Sequence, residues 1–273
     1  MAAASVLEPM GGTHVLLVGY EDRDNLGIRY LLSSLQRSGY SGDIVRYSSD
    51  PARLIDRARE DQPLVIGFSL IFQYMAPDFG QVITALREAG VATHITIGGH
   101  YASFDPEEIL QRIPGLDSVT RFEGEVTLVE LVDRLASMQD WRNIAGIAYR
   151  DGNEVKCNPL RAPISNLDEL PRPDRASYDY ESEPLPTAAI LGSRGCPWDC
   201  TFCSIRPFYE AQGGTLRRFR KPEEVVAEML ELYQERGIYL FLFQDDDFLA
   251  GSRRAQKWAC RIADGIIDAG LAG

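Results

Sequence analysis

The chain is poor in histidine and cysteine and has a deficit of positive charge. Its 273 residues include three histidines and five cysteines, and 40 acidic residues outnumber 28 basic ones, which gives a formal net charge of −12. Three of the five cysteines are clustered, which is unlike the framework of a disulfide-rich secreted domain. The negative charge argues against nucleic acid or an anionic membrane as a partner, because both prefer basic surfaces.

The sequence also lacks any apolar run of the roughly 18 residues that a membrane span requires. The first residues are small and apolar but carry no basic stretch, so we interpret 1–13 as a disordered N-terminus and not as a signal peptide. The remaining composition is typical of a globular protein, with 45% hydrophobic and 25% charged residues. These features together predict a protein of the reducing cytoplasm with no membrane partner.

Strand-like and helix-like segments alternate over residues 14–140. Apolar runs predict strands at 14–20, 43–47, 64–70, 92–97 and 118–121. Apolar residues at helical spacing predict helices at 26–38, 51–60, 77–89, 106–113 and 126–138. This alternation is typical of an α/β fold with a doubly wound parallel sheet of about five strands, in which ligands bind at the carboxyl ends of the strands.

Residues 141–185 are predicted to form a hairpin and a proline-rich linker, because Asp151-Gly152 is a strong hairpin signal. A second α/β unit is predicted over 186–273, with strands at 187–191 and 238–243 and helices at 222–236 and 253–269. Two parallel strands cannot be covered by two helices alone. We therefore expect either that the chain is truncated, or that the first domain or a partner covers the exposed edge.

Three cysteines, Cys196, Cys200 and Cys203, lie in one loop directly after a predicted strand, with the spacing C-x3-C-x2-C. Three thiolates on such a loop can hold three corners of a cubane iron–sulfur cluster and leave the fourth iron open. The alternatives are another metal ion or three buried thiols. A structural zinc site usually has four ligands, often as two Cys or His pairs, but Cys157 and Cys260 are isolated and the histidines lie far upstream.

The cysteine loop, with Phe202 before the third cysteine, resembles the C-x3-C-aromatic-C motif of the radical S-adenosylmethionine (SAM) superfamily. The resemblance implies a partial or full (β/α) barrel. It also implies that the three cysteines ligate a [4Fe–4S] cluster and that SAM chelates the open iron through its amino and carboxylate groups. It implies that one electron from the reduced cluster cleaves SAM to methionine and a 5′-deoxyadenosyl radical. The resemblance also implies an electron donor such as flavodoxin or ferredoxin as a partner. It further implies that Phe202 contacts SAM.

An acidic run, Gln244-Asp245-Asp246-Asp247, follows the second strand of this unit, where the superfamily often has Gly-Gly-Glu. Carboxylates at the carboxyl end of a barrel strand usually face the active site. We therefore expect Asp246 and Asp247 to contact SAM. The alternative is a solvated helix start, since acidic residues are favourable there. The basic run at 217–221 is expected to be a solvated connection, and the alternative is that it meets an anionic substrate or the carboxylate of SAM.

Three segments of the first domain lie where its predicted strands end, namely 22–27, Ser69-Leu70 and Gly98-Gly99. Small residues there would let a large planar ligand approach the backbone. The segments resemble the motif of cobalamin-binding domains that precede radical SAM domains, which is Asp-x-His-x-x-Gly, then Ser-x-Leu, then Gly-Gly. Asp24 occupies the histidine position, so the resemblance implies cobalamin bound without histidine coordination.

Residues 122–127 also resemble this family, in which the stretch lies beside the cofactor tail. The resemblance therefore implies a set of cobalamin-binding residues: Asp22, Asp24, Gly27, Ser69, Leu70, Gly98, Gly99, Glu123 and Gly124. The alternative is a domain that has kept this fold and lost the ligand.

The predicted organisation is a cobalamin-binding, Rossmann-like domain over 14–140 followed by the first βα units of a radical SAM barrel over 186–273. The resemblance implies methyl transfer to an unactivated carbon or phosphorus centre of a small molecule or natural product, through methylcobalamin and a 5′-deoxyadenosyl radical. One alternative is another radical SAM reaction, such as methylthiolation, cyclisation or ring rearrangement. Another is a truncated, non-catalytic fragment that binds the cluster and cobalamin.

Overall fold

The computed structural model describes residues 13–21, 24–178, 180, 185–249 and 251–271. Contacts divide them into two compact units, one formed by 13–19 with 35–159 and the other by 20–34 with the residues from 160 onward. The sequence predicted a simpler division near residues 140 and 186. The observed division differs because residues 20–34, including most of helix α1 (Leu26–Arg37), pack with the second unit.

The first unit contains one seven-stranded sheet with the order β2-β1-β3-β4-β5-β6-β7. The first five strands are parallel, as predicted, and the strand order reverses between β1 and β3, which marks a doubly wound sheet. The strands are β1 His14–Gly19, β2 Ser41–Arg46, β3 Val65–Ser69, β4 His94–Gly98, β5 Ser118–Thr120, β6 Ile147–Asp151 and β7 Glu154–Cys157.

Helices connect the parallel strands of the first unit. They are α2 Ala52–Asp61, α3 Ala76–Glu88, α4 His100–Phe104, α5 Pro106–Arg112 and α6 Gly124–Ala136. The central strand β1 shows why the apolar runs form this core, because Val15, Leu16, Leu17 and Val18 are at most 1% exposed. A strand buried on both faces needs such a continuous apolar run.

The predicted hairpin forms, but it extends the sheet of the first unit and is not part of a linker. Strands β6 and β7 pair antiparallel across Gly152-Asn153, and β6 pairs antiparallel with β5. An unpaired edge at β5 would leave backbone donors and acceptors unsatisfied. The hairpin satisfies them, which is why residues 147–157 belong to the first unit.

Within its described residues, the second unit contains two short strand pairs and, besides the start of α1, three α-helices. Strand β8 is parallel to β11, and β9 is antiparallel to β10. Helix α8 begins at a proline and ends at Gly237 with φ of 64°, as the sequence predicts. The elements are β8 Thr187–Ile190, β9 Ser193–Arg194, α7 Ile205–Ala211, β10 Arg218–Phe219, α8 Pro222–Arg236, β11 Leu240–Phe243 and α9 Arg253–Asp268.

Strand β11 has one covered and one open face within the described residues. Phe241 and Phe243 pack against a core centred on Trp258, whereas Leu240 and Leu242 are 40% and 49% exposed. This exposure agrees with the expectation that two helices cannot cover this sheet. No helix in the described ranges combines the length and the apolar character that crossing a membrane demands.

Candidate functional site

The cysteine loop begins at Gly195, directly after β9. This glycine has φ of 91°, and a Cβ atom built on it would lie 1.8 Å from the carbonyl oxygen of Leu216. Neither the backbone angle nor the space is available to a residue with a side chain. The fold therefore fixes the direction in which the loop leaves the strand.

The three predicted cluster ligands lie on this loop as free thiols. Cys200 is exposed, and Cys196 and Cys203 are partly exposed. Among the described residues, these three sulfur atoms do not form a group that lies within 4.8 Å of one another. A tetrahedral zinc site would hold its sulfurs about 3.8 Å apart, from a Zn–S bond of about 2.3 Å. The three thiols as placed therefore do not match a preformed tetrahedral zinc site.

Asp245 binds the segment that precedes the cysteines. Its Oδ2 accepts a hydrogen bond from the Gly192 amide at 2.9 Å, and its Oδ1 accepts one from the Ser193 hydroxyl at 2.5 Å. Burial raises the pKa of this carboxyl above its usual value, although these hydrogen bonds act in the opposite direction. Asp245 thereby ties the end of β11 to the strand that leads into the loop.

The two aspartates predicted to contact SAM also bind the cysteine loop. Asp246 accepts a hydrogen bond from the Gly195 amide at 2.7 Å, and Asp247 accepts one from the indole nitrogen of Trp198 at 2.5 Å. Phe202, the third predicted SAM residue, lies on the same loop with 91% of its surface exposed. The structure therefore brings the SAM candidates together with the cysteines. It also gives both carboxylates partners within the protein.

The basic run at 217–221 is not the solvated connection that the sequence predicts. Arg218 and Arg220 are only 4% and 7% exposed. Arg218 forms part of β10, and Arg220 forms an ion pair of 2.6 Å with Glu228 of α8. The prediction failed because the partners that make such burial tolerable lie on other elements.

Asp24, at the histidine position of the cobalamin motif, lies in the second unit and is 5% exposed. Its Oδ1 lies 2.7 Å from Nε of Arg29, and its Oδ2 lies 2.5 Å from Nη1 of Arg175. Oδ2 also accepts the amide hydrogen of Ala189 in β8 at 3.0 Å, and the hydroxyl of Tyr180 lies 3.3 Å away. Oδ2 thus has three hydrogen-bond partners within the protein and Oδ1 has an ion-pair partner without a hydrogen bond, whereas the resemblance implied a role of Asp24 in cofactor binding.

Arg175 extends this buried charge network to helix α8. It donates a hydrogen bond to Glu228 Oε1 at 2.8 Å. Burial alone disfavours the charged guanidinium, but Asp24, Tyr180 and Glu228 together raise the pKa of Arg175 above its ordinary value. We call Glu21, Asp24, Arg29, Arg175, Arg220 and Glu228 the arginine–carboxylate network, because three carboxylates neutralise three guanidinium groups within it.

In the first unit, the predicted cobalamin residues of β3 and β4 lie side by side. Ser69 is in register with Gly98, and the amide of Leu70 donates to the Gly98 carbonyl at 2.8 Å. Gly99 has φ of 104°, and a Cβ atom built there would lie 2.4 Å from the Leu70 carbonyl oxygen. Ser69, Gly98 and Gly99 are partly exposed at this edge, so it carries short side chains that would admit a large planar ligand.

A serine connects this edge with the predicted cofactor-tail residues. The Ser103 hydroxyl donates to the Gly99 carbonyl at 2.7 Å and accepts the amide hydrogen of Phe122 at 2.7 Å. Glu123 and Gly124 follow at the start of α6, where Glu123 is 8% exposed. Six predicted cobalamin residues therefore share one end of the first unit: Ser69, Leu70, Gly98, Gly99, Glu123 and Gly124.

The remaining predicted cobalamin residues are placed elsewhere or not described. Asp22 lies outside the described residues. Gly27 lies in the first turn of α1, in the part of that helix that belongs to the second unit. A Cβ atom on Gly27 would make an ordinary contact of 3.5 Å with the Asn25 side chain, so the protein itself does not require glycine there.

Sequence reasoning missed Glu228 and Arg175, although Glu228 left a signal. It lies three residues after Val225 and four before Leu232, on the apolar face of α8, and all three are at most 3% exposed. A carboxylate on such a face indicates a buried cation nearby. Arg175 gave no comparable signal, because it lies in an irregular segment.

A second group of candidate metal ligands lies in the first unit. His14, Asp43 and Asp61 offer ligand atoms within 4.8 Å of one another. The guanidinium of Arg57 donates to both carboxylates, at 2.6 and 2.8 Å. A guanidinium group already binds both carboxylates, and we assign no metal to these side chains.

Two family models match the chain. The B12 binding domain matches residues 12–132, and the radical SAM superfamily matches residues 190–269. The first range covers the sheet edge formed by Ser69, Leu70, Gly98 and Gly99, and the second covers the cysteine loop and the three aspartates.

Two curated relatives illustrate the range of similar proteins. An uncharacterized methyltransferase of Pyrococcus horikoshii, PH0819, is 31% identical over 89% of this chain and 53% of its own length. The anaerobic magnesium-protoporphyrin IX monomethyl ester cyclase of Cereibacter sphaeroides is 29% identical over 81% of this chain and 37% of its own length. The chain thus spans about half or less of the length of these relatives.

The radical SAM methyltransferase TsrM of Kitasatospora setae has a similar fold. It matches with a TM-score of 0.74 and 19% identity, over 94% of this chain and 52% of that protein. The matched domains, the cysteine loop with its open ligand set, and the doubly wound sheet agree with one another. The chain belongs to the radical SAM proteins that carry a B12-binding domain.

Proposed function

We propose that the chain takes part in cobalamin-dependent methyl transfer to an unactivated carbon or phosphorus centre. The observation that carries the proposal is the occurrence in one chain of a B12-binding domain and a radical SAM domain whose loop holds three free cysteines with the spacing C-x3-C-x2-C. The 31% identity to an uncharacterized methyltransferase over 89% of the chain supports methyl transfer among the reactions of this family. A small molecule or natural product is the proposed substrate, and flavodoxin or ferredoxin the proposed electron donor.

Cys196, Cys200 and Cys203 are the proposed cluster ligands. When bound, the cluster with SAM would supply a 5′-deoxyadenosyl radical, and cobalamin would supply a transferable methyl group. The chain's own contribution is to fix the loop through Gly195 and Asp245. Phe202, Asp246 and Asp247 remain the proposed SAM contacts, since they lie on or bind the same loop.

The proposed cobalamin site is the end of the first unit where β3 and β4 finish. Ser69, Gly98 and Gly99 provide the open edge, and the Ser103 hydrogen bonds hold Gly99 against the segment that leads into α6. Asp22 and Gly27 remain predicted contacts. No histidine occupies the motif position, so the lower face of the cobalt would receive no imidazole from it.

Anaerobic reconstitution with iron, sulfide, cobalamin and SAM carrying a deuterated methyl group tests this proposal. We expect strong reductant to give 5′-deoxyadenosine. We also expect S-adenosylhomocysteine in an amount that matches bound cobalamin, with the label on the corrinoid by mass spectrometry. A variant with Cys200→Ala should lose 5′-deoxyadenosine, because one cluster ligand is removed, yet retain bound cobalamin.

The labelled corrinoid separates methyl transfer from the alternatives. If 5′-deoxyadenosine forms while bound cobalamin stays unlabelled, the chain catalyses a different radical reaction, such as the ring closure of the cyclase relatives. If a complete cluster and strong reductant give neither product, the chain binds its cofactors without turning them over. Either outcome would refute the proposed methyl transfer.

A further inference from the structure

Strand β8, which leads into the cysteine loop, has only one strand neighbour among the described residues. It pairs with β11, and the carbonyl of Ile190 accepts a hydrogen bond from the Gln244 amide on that side at 2.8 Å. Successive residues of a strand direct their backbone groups to opposite sides. The amide and carbonyl of Ala189 therefore point away from β11, to an edge that no strand occupies.

Side chains satisfy this edge. Asp24 Oδ2 accepts the amide hydrogen of Ala189 at 3.0 Å, and Arg175 Nη2 donates to the carbonyl of Ala189 at 2.7 Å. A neighbouring strand would provide the same pair, one acceptor and one donor. Two residues further on, Arg220 Nη1 donates to the carbonyl of Leu191 at 2.9 Å.

The arginine–carboxylate network holds these side chains in place. Asp24 is fixed between Arg29 and Arg175, and Arg175 is fixed in turn by Glu228, which also binds Arg220. Arg29 has no exposed surface, and Asp24 and Glu228 are at most 5% exposed. Charge-assisted hydrogen bonds away from water are short and directional, so they can position a strand.

We propose that Asp24 and Arg175 are positioning residues that take the place of a neighbouring strand at the outer edge of β8. They fix the strand from which the cysteine loop begins, and Asp24 for that reason is not a ligand of cobalt. The proposal rests on the cluster-binding role of the loop. It does not depend on which reaction the cluster initiates.

Two measurements on the full chain test the proposal, and neither depends on turnover. Hydrogen exchange followed by mass spectrometry reports the protection of residues 187–194. Iron and acid-labile sulfide per chain report cluster assembly. For Asp24→Ala we expect β8 amides to exchange about tenfold faster or more. We expect iron content to fall by about half or more, since the loop loses its fixed base.

A pairwise test guards against a general loss of stability. Because Asp24 and Arg175 act as one unit, their effects should not add. The double variant Asp24→Ala/Arg175→Met should therefore lose no more iron, and exchange its β8 amides no faster, than the more damaging single variant. If Asp24→Ala fails to fold, Asp24→Asn keeps a similar shape and one acceptor oxygen. Asp24→Asn should then show a smaller increase in β8 amide exchange and a smaller loss of iron.

Asp117→Ala is the matched control. Asp117 Oδ2 accepts the amide hydrogen of Ile95 in β4 at 2.7 Å and a hydrogen bond from Arg87 at 2.6 Å. The control therefore removes the same two kinds of bond from a strand of the first unit. We expect it to leave both the exchange of residues 187–194 and the iron content unchanged.

Electron paramagnetic resonance of bound cob(II)alamin tests the statement about cobalt. We expect wild-type and Asp24→Asn chains to give the same axial-ligand pattern. A different axial-ligand pattern in Asp24→Asn would overturn the statement about cobalt. The proposal would also be overturned if Asp24→Ala showed the same hydrogen exchange and the same iron content as the wild type. A chain that shows the expected exchange and iron losses but forms no labelled corrinoid would refute the methyl transfer and leave this inference standing.

Discussion

The sheet of the first unit contains a cluster of neutral polar groups, whereas β8 in the second unit is held by a network of arginines and carboxylates. In the first unit, the ring of His94 bonds the Ser118 hydroxyl at 2.9 Å, and Ser118 in turn bonds Thr96 at 2.9 Å. Burial lowers the pKa of His94 to about 4, so its imidazole is neutral at pH 7. In the second unit, the members of the arginine–carboxylate network form ion pairs. The buried members are Asp24, Arg29, Arg220 and Glu228.

The number of strands in each sheet explains why the two units hold different polar groups. Seven strands in the first unit satisfy one another's backbone groups, so its interior needs few strong acceptors or donors. In the part of the second unit that the structure describes, the strands form only pairs, and side chains satisfy the outer edge of β8. Charged groups form stronger hydrogen bonds than neutral ones, but each depends on its partner. We therefore expect the second unit to be the more sensitive of the two to single substitutions.

The largest expected effect follows from Glu228→Ala. The substitution leaves the buried guanidinium groups of Arg175 and Arg220 without a shared partner. Breaking a buried ion pair from one side costs about 3–5 kcal/mol. Urea titration should show this loss in the free energy of unfolding, with hydrogen exchange of α8 identifying the second unit as its source.

Arg112→Ala provides the contrast in the first unit. Arg112 pairs with Glu108 one helical turn away, with 67% of its side chain exposed. Such a pair contributes about 0.5 kcal/mol or less. Equal effects of the two substitutions would show that the buried network gives the second unit no special sensitivity.

The second prediction concerns the loop glycines. Gly195→Ala forces a side chain into a left-handed backbone, at about 1–2 kcal/mol, and against the Leu216 carbonyl, where overpacking adds about 1–3 kcal/mol. Gly213 also has a left-handed backbone, with φ of 70°, but a Cβ atom there would meet nothing within 4 Å. We expect Gly195→Ala to lose most of its iron after reconstitution and Gly213→Ala to retain it. Similar iron contents would exclude a packing role for Gly195.

The third prediction concerns how the stability of the first unit depends on pH through His94. The pKa of His94 is lowered by burial from about 6.5 to about 4, so the unfolded chain binds the extra proton between these values. Stability is therefore complete above pH 6.5 and falls by about 2–3 kcal/mol as the pH drops towards 4. His94→Gln removes this contribution, so its difference from wild type should shrink over the same range. A difference independent of pH would show that the imidazole is not buried as a neutral group.

The sequence predicted what local patterns encode. Continuous apolar runs predicted β1 and β3, and the cysteine spacing predicted a cluster loop, since both signals lie within a few residues. The role of Asp24 could not be predicted in this way. Its partners Arg175 and Ala189 lie 151 and 165 residues away along the chain. The same holds for the hairpin β6–β7, whose turn was predicted but whose pairing with β5 depends on the rest of the sheet.

The smallest expected effect concerns the two roles available to Asp247. The hydrogen bond from Trp198 suggests that Asp247 fixes the cysteine loop, whereas its position after β11 predicted a SAM contact. If it fixes the loop, Trp198→Phe and Asp247→Ala should each destabilise the loop by about 1 kcal/mol. The double variant should be no worse than either single one, as judged by the rate of iron loss to a chelator.

Ser103→Ala is the control variant in the first unit. There a neutral hydroxyl, and not a carboxylate, joins two loop segments by hydrogen bonds to Gly99 and Phe122. Ser103→Ala should leave iron loss unchanged. The affinity for SAM decides between the two roles of Asp247. If Asp247→Ala weakens SAM binding about tenfold or more while Trp198→Phe leaves it unchanged, then Asp247 contacts the cofactor. The carboxylate after β11 would then contribute more to ligand binding than to the stability of the loop.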